Sequence, residues 1–171
     1  MAVMTLIEDD RQWFKSSLGF GDISETCRRN SFCSWSLLSA APECLVVPNA
    51  LTDPRFAGNP FVANPPALRS YIGSPLVASG GARIGTLCLL DVVPRHFTAQ
   101  DCALLCNCAE IAVRELEAWH ADARLAFAAP ATEGEALRSA HAWDVGILVV
   151  TIRAHPHALC CVLGFDHLRA A

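Results

Sequence analysis

Between Cys44 and Asp91 the chain reads CLVVPNALTDPRFAGNPFVANPPALRSYIGSPLVASGGARIGTLCLLD, and this stretch restricts the fold more than any other. Leu45 to Val47 is a β-branched strand core. Leu68 to Ala78 and Arg83 to Asp91 are longer apolar runs separated by Ser79-Gly80-Gly81-Ala82. Glycine accepts the positive backbone angles a tight hairpin needs, so the two runs are expected to pair antiparallel. The Asn- and Pro-punctuated segment between the first strand and this hairpin cannot continue a helix or a ladder. It must arch over one face of the sheet. A curved sheet roofed by such a segment encloses a concavity of the kind that takes a small ligand.

At 171 residues the chain has room for one well-buried core. Its 53% hydrophobic and 18% charged residues read as globular rather than disordered. The net charge of −4 comes without a Lys/Arg run. Nucleic-acid surfaces and anionic-membrane anchors both need concentrated positive charge, so neither partner is expected. The most apolar candidate for a membrane span, Trp143 to Phe165, is broken by Arg153, His155, Pro156 and His157. Nine cysteines, an odd number lying mostly in apolar runs, point to a reducing, cytoplasmic setting with cysteine used as a small buried residue.

Ala2 to Ile7 and Gln12 to Leu18, joined by a polar turn, are expected to form a first β-hairpin. Ile23 to Ser31 is polar and reads as loop. In Phe32 to Leu38, Phe32, Trp35 and Leu38 recur at three-residue spacing behind a capping Ser31, which predicts two helical turns. Asp53 followed by Pro54 is suited to start a short helix. Thr98-x-x-Asp101 has the form of a capping box. From there to about Arg124, Cys102, Leu105, Ala109, Ala112, Leu116 and Trp119 trace one side of an amphipathic helix packed along the sheet. Residues 1–124 are expected to be the domain, and 125–171 a tail or linker with one or two strands.

The words EDDRQWFKSSLGF, FCSW, LVVPNALTDPRFAGNPFV, SYIGSPLV, GTLCLLD and PRHFTAQD, in that order, closely resemble GAF domains of the type found in sensor histidine kinases and other signalling proteins. The resemblance covers about Ala2 to Trp119. It implies an α/β (α+β) fold: an antiparallel sheet with a terminal helix on one face, and loops with short helices closing over the other. It further implies a non-catalytic regulatory module that binds a small molecule, dimerises, or both, and relays a signal through the terminal helix to an effector such as a kinase. The implied pocket wall comprises Phe32, Cys33 and Trp35 from the short helix, Asn49, Asp53, Arg55 and Phe56 from the crossing segment, and Tyr71, Thr86 and Cys88 from the sheet. The expected partners are an unidentified small molecule and a second copy of the chain meeting through the terminal helix. The chain departs from the family pattern at Asn49, where Asp is usual, at Ser70, where an aromatic residue is usual, and in starting at the first strand without a preceding helix.

Each candidate has a plainer role beside the functional one. Asp53 and Arg55 could bracket a polar ligand, but a turn cap with its ion pair is the favoured reading. Cys33 at a helix start could be a reactive thiol, which keeps a cysteine-dependent enzyme of the free methionine sulfoxide reductase type as the alternative; Cys88, inside an apolar strand, reads as packing. A catalytic thiol would require Cys33 accessible with a second thiol in reach. Cys102, Cys106 and Cys108 lack the paired short spacings of structural zinc, and the tail group His155, His157, Cys160, Cys161 and His167 matches no trusted metal spacing. No Cys-His dipeptide occurs for covalent bilin attachment, and no cyclic-nucleotide signature is recognisable. The sequence therefore assigns no catalytic residue, no metal and no cofactor.

Overall fold

The computed structural model describes residues 1–38, 43–128, 147–155 and 158–166, with side chains through Ala121. Strands β1 (Ala2–Ile7), β2 (Arg11–Leu18), β3 (Glu25–Cys27), β4 (Leu45–Val47), β5 (Ser70–Val77) and β6 (Arg83–Asp91) form one antiparallel sheet in the order β3-β2-β1-β6-β5-β4. Both expected hairpins form. Gly81, at φ +82°, supplies the left-handed residue of the β5–β6 turn. The polar stretch read as loop holds β3 and a 3-10 turn, Arg28–Asn30. A three-residue edge strand with exposed Glu25 and Cys27 has no apolar alternation by which to announce itself.

Helix α2 (Ala99–Ala128) runs 30 residues, four beyond the point where the periodicity fades near Arg124. Its start is a reciprocal cap: Thr98 N donates to Asp101 Oδ2 at 2.7 Å and Asp101 N donates to Thr98 Oγ1 at 3.2 Å. Asp can replace Glu in this motif because the carboxylate reaches the same orphan donor. Leu105, Ala109, Ala112 and Val113 pack with Ala2, Met4, Ile72, Leu76, Leu87 and Leu89 on one sheet face. Each large side chain so buried stabilises the fold by about 1.5–3 kcal/mol. Ile84 falls where the β5–β6 register shifts between Leu76 and Val77. The shift turns Ile84 toward the helix-side cluster, whereas strict alternation would put it beside Cys88.

The opposite face carries Val3, Leu45, Val47, Tyr71, Cys88 and Leu90. It is covered by a 3-10 helix, Cys33–Leu37, and by residues 48–69, which contain the short helix α1 (Pro60–Ala63). Ser31 caps the first of these, accepting from Ser34 N at 3.2 Å, and Asn59 caps the second, accepting from Phe61 N at 2.9 Å. Hydrogen bonds close the crossing segment at its base: Ala50 N to Arg69 O at 2.7 Å, Arg69 N to Asp91 O at 2.8 Å and Arg95 N to Pro48 O at 3.0 Å. Beyond α2, β7 (Ile147–His155) and β8 (Ala158–Asp166) pair antiparallel with His155 opposite Ala158. The side chains of His155, His157, Cys160, Cys161 and His167 lie outside the described residues. No helix among the described residues is long and apolar enough to cross a membrane.

Candidate functional site

A cavity of about 50 Å³ lies on the loop-covered side, between the β2–β3 edge and the crossing segment. A single water needs only about 10–15 Å³ measured this way, so there is space for a small solute. Val3, Phe14, Phe20, Phe32, Leu68 and Leu90 are among the apolar residues of its wall. Ile23 and Pro66, both solvent-exposed, mark where it reaches the surface.

Four polar side chains interrupt the apolar lining: Gln12, Thr26, Ser31 and Asn30. Gln12 and Ser31 are buried, and Ser31 Oγ donates to Gln12 Oε1 in a very short contact. Thr26 Oγ1 is buried with no hydrogen-bond partner among the described residues. Such an orphan costs about 1–3 kcal/mol. None of these four was among the residues expected from the sequence. In a linear reading Gln12 and Thr26 alternate with neighbours as solvent-facing residues do. Only the pairing of β3 onto β2, with Gln12 opposite Thr26, turns both toward the interior.

Of the expected wall residues, Phe32 and Cys33 line this cavity. Phe56 and Tyr71 fill the space beside it. Phe32 stacks face to face on Phe56 with ring centroids 4.1 Å apart and leans on Tyr71 at 5.4 Å, and all three are buried. Trp35, 39% exposed, meets Phe56 edge-on at 5.7 Å. Asn49, Asp53 and Arg55 lie on the outer side of the crossing segment as internal ties. Asn49 Oδ1 accepts from Leu51 N at 3.1 Å, Asp53 Oδ1 accepts from Arg55 N at 3.0 Å, and Arg55 Nη2 donates to Asp53 Oδ2 at 2.6 Å. The Arg55 hydrogen bond holds the Asp53 carboxyl below the usual carboxylate range. Arg55 in turn lies over the outer part of Phe56, 5.2 Å from the ring centroid.

Thr86 and Cys88 project from β6 into a buried polar group at the sheet centre. Thr5 and Thr86 hydroxyls are 3.0 Å apart, and the sulfurs of Cys33 and Cys88 are 3.5 Å apart. Tyr71 lies flat over Gly73, the residue opposite Cys88; a methyl group at Gly73 would fall 2.6 Å from the Tyr71 Cζ. Tyr71 Oη and Ser36 Oγ are buried without hydrogen-bond partners among the described residues. Burial raises the Tyr71 hydroxyl well above its ordinary value, and the two thiols add to that.

On the helix side, Cys44 of the β4 approach comes against Cys102 and Cys106. Burial pushes the Cys44 thiol up, and these two neighbours push it further. Cys108 instead enters the apolar cluster under the helix. No group of three His, Cys, Asp or Glu side chains disposed to hold a metal occurs among the described residues.

Comparison with known proteins places this geometry. The model of the GAF domain family matches residues 2–116. A cyclic di-GMP phosphodiesterase of Pseudomonas aeruginosa is 40% identical over 106 residues, 61% of this chain but only 18% of that protein. The chain thus spans under a fifth of that relative's length. Among solved structures, a domain assigned to a two-component sensor histidine kinase of Sinorhizobium meliloti superposes with a TM-score of 0.54 at 15% identity, covering 72% of this chain and 82% of that one. A type II free methionine-R-sulfoxide reductase of Thermoplasma acidophilum gives 0.52 at 18% identity, with 66% and 75% covered. A structure described simply as the GAF domain gives 0.52 at 13% identity, with 66% and 62% covered. At such identities the structural likenesses speak for the fold alone.

Proposed function

Because the chain belongs to the GAF domain family, we propose that it is a non-catalytic regulatory domain that takes a small molecule into the loop-side cavity and relays its presence through α2 to an effector. The observation that carries this reading is the orphan Thr26 hydroxyl on the wall of a mainly apolar cavity. A ligand that hydrogen-bonds Thr26 recovers a cost the empty protein bears, and hydrophobic contact supplies the rest. The fitting chemistry is a small, mainly apolar molecule with one or two polar atoms facing Thr26 and the Gln12–Ser31 pair.

The relay is a population shift: a ligand that prefers one arrangement of the crossing segment biases the packing of α2. The 40% identity to a segment of a cyclic di-GMP phosphodiesterase favours an effector of the nucleotide-signalling class. Dimerisation through α2 belongs to the same proposal, with a narrowed surface. Leu105 and Ala112 are buried against the sheet and Leu116 packs partly on the same cluster, leaving the 42% exposed Trp119 for a second copy. The reductase alternative calls for a Cys33 that a substrate as large as methionine sulfoxide reaches; at 2% exposure on the wall of a cavity of about 50 Å³, that thiol favours the regulatory reading.

The test is thermal-shift screening of the reduced chain against small, mainly apolar solutes with one or two polar atoms, such as short-chain alcohols, amides and carboxylic acids and the smaller apolar amino acids. A ligand at a hundred times its Kd stabilises by about 2.7 kcal/mol. The expected result is a rise in melting temperature that Thr26→Val diminishes. No shift across the set, or a shift indifferent to Thr26→Val, overturns the cavity as the site.

A further inference from the structure

The Cys33–Cys88 pair has no part in the ligand reading, yet its surroundings are unlike those of a cysteine used as filler. The two sulfurs meet at 3.5 Å from positions 55 residues apart in sequence, and both thiols are free. Cys33 opens the 3-10 helix on the covering layer, and Cys88 lies at mid-β6 between Val3 and Gly73. The Thr5–Thr86 hydroxyl pair and the Tyr71 phenol lie near them in a mainly apolar core. Cys33 also lines the cavity that reaches the surface at Ile23 and Pro66, whereas Cys88 stands behind it.

We infer that Cys33 and Cys88 are a peroxide-sensitive dithiol, oxidised by a small hydroperoxide entering the cavity, and that the resulting disulfide pins the 3-10 helix to β6. The two thiols divide the chemistry. Burial alone would push the Cys33 thiol up, but its contact with Cys88, helped by the nearby Thr86 and Thr5 hydroxyls, outweighs that and brings the group down to about 6. Cys88 is held well above its ordinary value, by burial first and then by Cys33. Cys33 is therefore the thiolate and Cys88 the thiol that retains its proton.

The Cys33 thiolate attacks one peroxide oxygen. The O–O bond breaks, and the departing oxygen leaves as alcohol or water with the proton Cys33 released. Cys33 is then a sulfenic acid. Cys88 sulfur attacks it, the S–O bond breaks, and the hydroxyl leaves as water with the Cys88 proton. Two thiols are oxidised, one hydroperoxide is reduced, and an alcohol and a water are released. The required movement is short: the sulfurs close from 3.5 Å to the bond length of about 2.05 Å. Cavity size sets the class of oxidant. A space of about 50 Å³ admits hydrogen peroxide and excludes a disulfide as bulky as oxidised glutathione.

The experiment treats the fully reduced 171-residue chain with one equivalent of hydrogen peroxide, then blocks remaining thiols and maps peptides by mass spectrometry without reduction. The expected main product links the Cys33 and Cys88 peptides with the loss of two hydrogens, and dithiothreitol reverses it. Cys88→Ser stops at a sulfenic acid on Cys33 that dimedone traps; Cys33→Ser leaves Cys88 unmodified. The wild-type map decides the matter even where a variant folds poorly. Oxidation confined to other thiols while Cys33 and Cys88 stay reduced overturns the inference. So does equally fast linkage by oxidised glutathione, or linkage by free methionine sulfoxide in place of peroxide. Ligand-induced thermal shifts in the reduced chain are read separately, so the two proposals fail independently.

Discussion

Phe56 is the residue by which the crossing segment grips the sheet, and its truncation has a calculable effect. The ring is fully buried, stacked on Phe32 at 4.1 Å and met edge-on by Trp35 at 5.7 Å. Phe56→Ala removes that burial and leaves a cavity which Phe32 and Trp35, each tied to the 3-10 helix region, fill only in part. Losses at such sites run to about 3–5 kcal/mol, of which the ring pairing supplies about 0.5–1.5 kcal/mol. At about 2–4 °C per kcal/mol for a chain of this size, the melting temperature falls by about 6–20 °C. Urea denaturation followed by tryptophan fluorescence measures it, with Arg55→Ala as the comparison. Arg55 touches the same ring from outside, but its pair with Asp53 is partly solvent-exposed, and such pairs contribute less than about 1 kcal/mol. If Phe56→Ala costs no more than Arg55→Ala, the aromatic stack is not what holds the segment down.

Three further outcomes follow from the same coordinates. Gly73→Ala forces Tyr71 off its seat, since the added methyl meets the phenol ring at 2.6–2.8 Å; overpacking of this kind costs about 1–3 kcal/mol, and an unchanged urea midpoint would disprove the contact. Thr98→Ala removes one half of the reciprocal cap of α2 and lowers stability by about 1 kcal/mol, measurable in the same melts, with Thr98→Ser retaining most of it. Stability of the reduced chain rises from about pH 6, where folded Cys33 begins to ionise, toward about pH 8.5, because the unfolded thiol still holds its proton there. Above that value the slope reverses, because Cys88 keeps its proton in the folded chain and loses it in the unfolded one. Cys33→Ser flattens the rise, and a flat wild-type profile would refute the lowered Cys33 value.

The sheet was legible wherever apolar runs met glycine turns, and the terminal helix wherever steps of three and four followed a cap. β3 was not, because an edge strand of Glu25, Thr26 and Cys27 has no buried side to pattern. That omission hid the cavity's polar wall, since Gln12 and Thr26 face inward only as cross-strand partners. Cys33 and Cys88 were visible as candidates, but their meeting was not. Nothing in residues 55 positions apart encodes a short distance until β6 and the covering 3-10 helix are stacked. Asp53 and Arg55 show the converse: a motif read as turn cap plus ion pair is local, and local chemistry survives translation into three dimensions.

The base of the crossing segment has a consequence for admission. Its two ends are stitched side by side through Ala50, Arg69, Asp91, Pro48 and Arg95, and its middle is tacked to Asn30 O by Asn59 Nδ2 at 2.9 Å. A strap fastened at both ends and the centre does not lift like a door. The cavity opens sideways instead, beside Ile23 and Pro66. Such an opening works as a sieve, and bulk, more than charge, decides what fits beneath the strap.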